Sequence, residues 1–295
     1  ATNDHNGGDG GAFAFSGDSY TLIFNDCEFL NNKAFNGGAL AISGNTGIQI
    51  ERCTFTNNQA SQSAECTGGS IYLNSLYAGS CSISNSTFSG NYDRSNLGSS
   101  ITLLSQTGTL TINNDCTFTN EGKESSNKYT IYSKGNLTID SSEINCDAIS
   151  GIFVENQNSQ ITQLTIKNVI TNDEATAAAI QINSGVETVI ESCTFMSCGS
   201  TTVNAFAIID HSTGTTINLC NFIADPQIKC GAVYISSSGR HTITSCNTSG
   251  TNSLNGAFYY NPQSSSDNVF EFHDNIINYA KGSNRAALTF NLTSG

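Results

Sequence analysis

The sequence predicts an all-β fold, a right-handed single-stranded parallel β-helix of about ten coils, and three observations predict it. One strand-like block recurs along the whole chain, a second block recurs between its copies, and no stretch carries the period of an amphipathic helix.

The first block reads Ile48-Gln-Ile50-Glu-Arg-Cys53-Thr-Phe55-Thr-Asn57-Asn58. Its hydrophobic anchors stand five positions apart in Phe24/Phe29, Ile50/Phe55, Ile83/Phe88, Ile139/Ile144, Ile161/Ile166, Ile190/Phe195, Ile217/Phe222 and Phe272/Ile277. Ile243/Thr248 keeps the spacing with a threonine, and Ile112/Phe118 carries one extra residue. These ten copies lie 22 to 33 residues apart. The second block appears as Gly37-Gly38-Ala39-Leu40, Gly68-Gly69-Ser70-Ile71, Gly231-Ala232-Val233 and Gly256-Ala257-Phe258, and at the ends as Gly10-Gly11-Ala12-Phe13 and Ala286-Ala287-Leu288. Each repeat therefore holds about three short strands parted by Gly, Asn and Ser turns. A unit of that size cannot bury its apolar face alone, whereas stacked units share one continuous core. Right-handed coiling follows from the preference of parallel crossovers. One solenoid domain over residues 1–295 is expected, as a segment of a longer protein or assembly.

Composition narrows the functional classes. Thirty-six Asn and 71 Ser plus Thr accompany a net charge of −13, with only four Arg and seven Lys. Phosphate backbones call for clustered basic residues, so no nucleic-acid partner is expected. No apolar run approaches the length of a transmembrane helix, so no direct membrane insertion is expected within this segment. The chain opens at Ala1 with no leader pattern, as a mature chain or an excised segment would. Neither end shows an amphipathic cap, and neighbouring protein or further copies of the chain are expected to cover the end coils.

Three motifs, Phe29-Leu-Asn-Asn32, Phe55-Thr-Asn-Asn58 and Phe88-Ser-Gly-Asn91, alternate with Gly37-Gly-Ala-Leu40 and the looser Gly68-Gly-Ser-Ile71 and Cys230-Gly-Ala-Val233. This pattern resembles the polymorphic outer membrane protein repeats of chlamydial surface autotransporters and their protist relatives. The Asn of the first motif is lost beyond about residue 120, while the spacing persists. The resemblance implies a pectin-lyase-like β-helix displayed at the cell surface or outside the cell, with adhesive, passenger or filament function. It carries over no catalytic residue.

Cys27, Cys53, Cys116, Cys193, Cys220 and Cys246 share one repeat position, two before the Phe. Residues two apart on a strand face the same way, so these side chains are expected inside. Aligned coils hold Cβ atoms about 4.8 Å apart, too far for a disulfide, so a ladder of buried thiols is expected. Asn31, Asn57 and Asn120 are expected at left-handed turns, with Asn32, Asn58 and Asn91 forming amide ladders beside them.

Asp210-His211 is similar to the Asp-His pair of pectate lyases, but the basic groups and calcium-binding carboxylates of such enzymes have no counterpart here. His5, His211, His241 and His273 fall on different coils. No catalytic residue, cofactor or metal is therefore expected, and a polysaccharide lyase or hydrolase is the alternative reading. Gly7-Gly-Asp-Gly-Gly11 reads as a flexible lead-in. Asn136, Asn247 and Asn291 head Asn-x-Ser/Thr sequons at turns or outward positions and are candidates for glycosylation. Asn85 heads another, but its alignment with the inward cysteine position makes it inaccessible.

Strand alternation also predicts a binding face. With Leu40, Ile71, Ile131, Ile180 and Val233 inside, the next outward column reads Ala14, Ala41, Tyr72, Thr102, Tyr132, Phe153, Gln181, Ala207, Tyr234, Tyr259 and Thr289. The outward column beside it, which includes Ala39, Ala179, Ala205 and Ala232, is small throughout. Tyr72, Tyr132, Phe153, Tyr234 and Tyr259 are thus expected to contact glycan or a partner protein, including copies of the chain stacked laterally or end to end.

Overall fold

A computed structural model describes residues 8–60, 66–74, 79–94, 97–122, 129–146, 149–155, 158–173, 175–185, 187–254, 256–263, 268–278 and 287–291. Every regular element among them is a strand, and the strands stack in parallel as a right-handed β-solenoid. The chain divides into two compact units, residues 1–152 and 153–295.

In the first unit, sheet A holds Phe13–Ser16, Leu40–Ser43, Ile71–Asn74, Gly98–Leu103 and Tyr129–Ser133. Sheet B holds Tyr20–Asn25, Thr46–Glu51, Ser80–Ser84, Thr109–Asn113 and Asn136–Asp140. Sheet C holds Glu28–Leu30, Thr54–Thr56, Thr87–Ser89, Thr117–Thr119 and Glu143–Asn145. The register aligns Phe29, Phe55, Phe88 and Phe118, whose rings stack at 4.7, 4.7 and 4.6 Å between centroids.

The second unit repeats this plan. Its sheet A includes Ile180–Ile182, Ala205–Asp210, Cys230–Ile235, Phe258–Tyr260 and Leu288–Phe290. Sheet B includes Ser159–Thr162, Thr188–Glu191, Gly214–Asn218, Arg240–Thr244 and Val269–His273. Sheet C includes Thr165–Lys167, Thr194–Met196, Asn221–Ile223, Asn247–Ser249 and Ile276–Asn278, and Phe195 stacks on Phe222 at 4.9 Å.

Nine coils turn from sheet B to sheet C through a single left-handed residue, and a tenth through two, Asn114 and Asp115, of which Asp115 holds the equivalent place. These are Asp26, Arg52, Asn85, Asp115 and Ser141 in the first unit and Gln163, Ser192, Leu219, Ser245 and Asp274 in the second, all with φ of 48 to 60°. In seven of these coils the residue that follows clamps the corner. Cys27, Cys53, Cys193, Cys220 and Cys246 donate their thiol protons to the carbonyl two residues back, at 3.2 to 3.3 Å, and Ser86 and Ser142 do the same with hydroxyls at 2.8 and 3.1 Å. The cysteine column is therefore a set of corner clamps, and all eleven cysteines of the chain stand as thiols.

A second left-handed column at Asn31, Asn57 and Asn120 follows sheet C, as their residue type predicts. Beside it a buried amide ladder runs upward. Asn32 Nδ2 donates to Asn58 Oδ1 at 2.9 Å, Asn58 Nδ2 to Asn91 Oδ1 at 3.0 Å, and Asn91 Nδ2 to Glu121 Oε1 at 3.1 Å. Each acceptor oxygen also takes the preceding coil's backbone N–H, so the ladder satisfies groups that a turn would otherwise bury unpaired.

The Gly-Gly pair has a steric origin. Gly37 adopts φ +60°, while a Cβ on Gly38 would stand 2.1 Å from the carbonyl oxygen of Gly69 in the next coil.

Candidate functional site

Register settles which residues face outward from sheet A. Leu40, Ile71, Ile101 and Ile131 align in one fully buried column, and Ala41, Tyr72, Thr102 and Tyr132 align in the column beside it. Ala14 precedes Ala41 in that column, so two alanines leave a notch next to the Tyr72 ring. The notch forms a groove of about 340 Å³ lined by Asp9, Ala14, Ser16, Ala41, Ser43, Tyr72 and Asn74, with Phe15 and Ile42 at its base. Ser16, Ser43 and Asn74 occupy consecutive coils in one polar row. Burial, helped by the Asp9 carboxylate, pushes the Tyr72 phenol above its ordinary pKa, so it keeps its proton. The groove thus offers a carboxylate, a proton-bearing phenol, two hydroxyls, an amide and one aromatic face.

The other residues expected on this face are placed differently, and the small column of Ala39, Ala179, Ala205 and Ala232 is fully buried rather than outward. Tyr132 is buried at 6% exposure and presents little surface, and Thr102 is covered by the Thr67 hydroxyl at 2.9 Å. Phe153 is half-buried in the strand Ser150–Val154. In the second unit Tyr234 stacks on Tyr259 at 5.2 Å and meets Phe206 at 5.5 Å. These tyrosines pack against buried Phe206, Ile209 and Ala177, so they cover an apolar cluster on the solenoid's flank.

Two expectations about register are corrected. The coil Ala205–Asp210 aligns Ile208 with Val233 and Ile209 with Tyr234, so Ile209 holds the place expected for Ala207, and Ala207 the place expected for Ala205. Phe206 lies over Gly231, where a Cβ would meet its ring at 2.3 Å. Asn85 is exposed, at the left-handed corner, and Ser86 fills the inward cysteine position instead. Of the sequon asparagines, Asn136 and Asn247 are half-buried at the starts of strands, and Asn291 is exposed with its amide donating to Asn261 Oδ1 at 3.0 Å. His5, Gly7 and Ala286 lie outside the described residues.

The acid–base residues regroup. Asp210 and His211 point apart, because neighbours on a strand face opposite ways. His211 is half-buried and touches Ser236, and burial lowers its pKa, with the Asp210 charge opposing. Asp210 instead enters the core and meets His241 of sheet B, with Oδ2 3.1 Å from Nδ1 and both side chains fully buried. The carboxylate thus faces His241, 31 residues on in the chain, and not its neighbour His211. Among the described residues, no three His, Cys, Asp or Glu side chains gather as a metal site. No helix among them is long and apolar enough to cross a membrane. Compared with family models, curated proteins and solved structures, the chain matches none.

Proposed function

We propose that this chain is a structural and adhesive solenoid of the cell surface or extracellular space that binds carbohydrate through sheet A of its first unit. The observation that carries this reading is the groove beside Tyr72. Carbohydrate recognition needs an aromatic face for the C–H surface of a sugar ring, and convergent acceptors and donors for its hydroxyls. Tyr72 supplies the face, Asp9 accepts, and the Ser16, Ser43 and Asn74 row repeats polar groups at the spacing of the coils. The scarcity of Lys and Arg favours a neutral glycan over a polyanion. The similarity to polymorphic outer membrane protein repeats supports surface display.

Binding of the purified chain to a panel of neutral oligosaccharides, measured by glycan array and then calorimetry, tests this. Tyr72→Ala should weaken the best ligand at least about tenfold, the worth of a stacking contact of 1.4 kcal/mol or more. Absence of any carbohydrate ligand, or binding indifferent to both Tyr72→Ala and Asp9→Asn, overturns the reading.

A further inference from the structure

The corner between Cys230–Ile235 and Arg240–Thr244 in the second unit places a serine, a histidine and an aspartate in sequence. Ser237 Oγ lies 3.5 Å from His241 Nε2, and His241 Nδ1 lies 3.1 Å from Asp210 Oδ2. Asp210 and His241 are fully buried, while Ser237 is half-exposed at the corner. They come from two stretches of chain that register brings together: Thr215 aligns with His241 in sheet B, and Asp210 with Ile235 in sheet A.

The surroundings hold this arrangement. The Ser212 N–H donates to Asp210 Oδ1 at 2.8 Å, leaving Oδ2 to His241. The Ser236 N–H donates to the Asp210 carbonyl at 3.0 Å, which ties the serine corner to the aspartate's strand. Gly239 at φ +142° passes so close to Thr213 that a Cβ would sit 1.9 Å from its carbonyl oxygen, so the corner's path is fixed. Neither Asp210 Oδ2 nor His241 Nδ1 makes a hydrogen bond, and their 3.1 Å contact is close but off-line, as acid–base contacts often are before substrate arrives. A solenoid core has no packing need for a carboxylate and an imidazole where the same columns elsewhere carry Ile182, Ile235 and Thr215.

We infer that Ser237 is a nucleophile activated by His241, with Asp210 as its positioning residue, and that it accepts acyl groups from carboxylic esters. His241 Nε2 takes the Ser237 proton as Oγ bonds to the ester carbonyl carbon. The bond from that carbon to the leaving oxygen then breaks, and the proton passes from His241 to the departing alcohol. Water attacks the acyl-serine with the same base, releasing the carboxylic acid and restoring Ser237. Asp210 holds the imidazole in the tautomer with Nδ1 protonated and stabilises its transient charge. This activity goes beyond carbohydrate binding and does not depend on Tyr72.

The test is covalent labelling of the whole folded chain with a fluorophosphonate probe, mapped by peptide mass spectrometry. An unactivated serine does not react. One adduct is expected, on Ser237, with fluoride released. Ser237→Ala should abolish it, Ser236→Ala and Ser238→Ala should leave it, and Tyr72→Ala should not change it. His241→Gln should slow labelling about 100-fold or more, as loss of a general base does. Should that variant fail to fold by circular dichroism, the pH profile of the wild-type chain decides, since a base-assisted reaction slows in acid. No adduct on the folded chain, an adduct that survives Ser237→Ala, or a rate indifferent to both His241→Gln and pH overturns the assignment.

Discussion

Glu121 Oε1 accepts the side-chain amide of Asn91 at 3.1 Å, which ends a column of buried amides in a fully buried carboxyl group. Its other oxygen takes the hydroxyl of Ser100. Burial outweighs these hydrogen bonds and raises the carboxyl pKa from 4.5 to about 8.

That shift sets a pH dependence. Between pH 4.5 and 8 the folded chain holds a proton that the unfolded chain has released, so stability falls as pH rises through that window. The slope from this group approaches ~1.4 kcal/mol per pH unit at most. Glu121→Gln keeps an acceptor for Asn91 and an amide for Ser100, and should flatten the profile and raise stability above pH 8. Urea melts of both proteins from pH 5 to 9 check this.

The inter-coil approach at Gly38 should be intolerant of a methyl group. With a Cβ 2.1 Å from the Gly69 oxygen, Gly38→Ala should cost about 1–3 kcal/mol. Gly47, whose nearest neighbour to a Cβ is 3.6 Å away, serves as control, and Gly47→Ala should be neutral or slightly stabilising. Chemical denaturation separates the two.

Leu219 sits at a left-handed corner with φ 53° and is 51% exposed. It bears the crowding of an L-residue there, worth roughly 1 kcal/mol, and little burial offsets it. Leu219→Asn should therefore raise the thermal midpoint, by a few degrees for a gain of about 0.5–1 kcal/mol. A scanning calorimeter reads the difference.

Burial raises the thiol pKa of Cys81 and Cys230 to about 12 and of Cys116 to about 11, and Cys220, flanked by Cys193 and Cys246, is raised as well. Ellman's reagent at pH 8 should react rapidly with the half-buried Cys27 alone in the native state, and with all eleven thiols in guanidinium. Cys220→Ser should change stability little, because Ser86 and Ser142 clamp the same corner with hydroxyls. Cys220→Val, which removes the donor, should cost about 1 kcal/mol.

The columns were legible wherever the sequence alternates sharply. Five-residue spacing between Ile50 and Phe55 places both inside and implies the corner between them. The phase of Ala205-Phe206-Ala207-Ile208 was not legible, because a slip of two residues preserves which side chains face inward and gives the same alternation. Asn85 stands one residue before the clamp position, which a serine rather than a cysteine occupies, so the cysteine pattern does not mark it. The meeting of Asp210 with His241 depends on the register of two sheets at a shared corner, which no local pattern encodes. The Tyr72 groove owes its depth to alanines one and two coils away, so it becomes visible only once the coils are aligned.

The single left-handed residue between sheets B and C keeps that corner at a constant chain length in nine of the ten coils, with Asp115 following one inserted residue. The solenoid thus has a spine of fixed gauge, while the stretches leading into and out of sheet A vary in length from coil to coil. Diversity can accumulate at those two edges without disturbing the stacking of the spine, so the molecule behaves as a modular chassis with two variable ports. Foreign peptides grafted there should be displayed at intervals set by the coil rise.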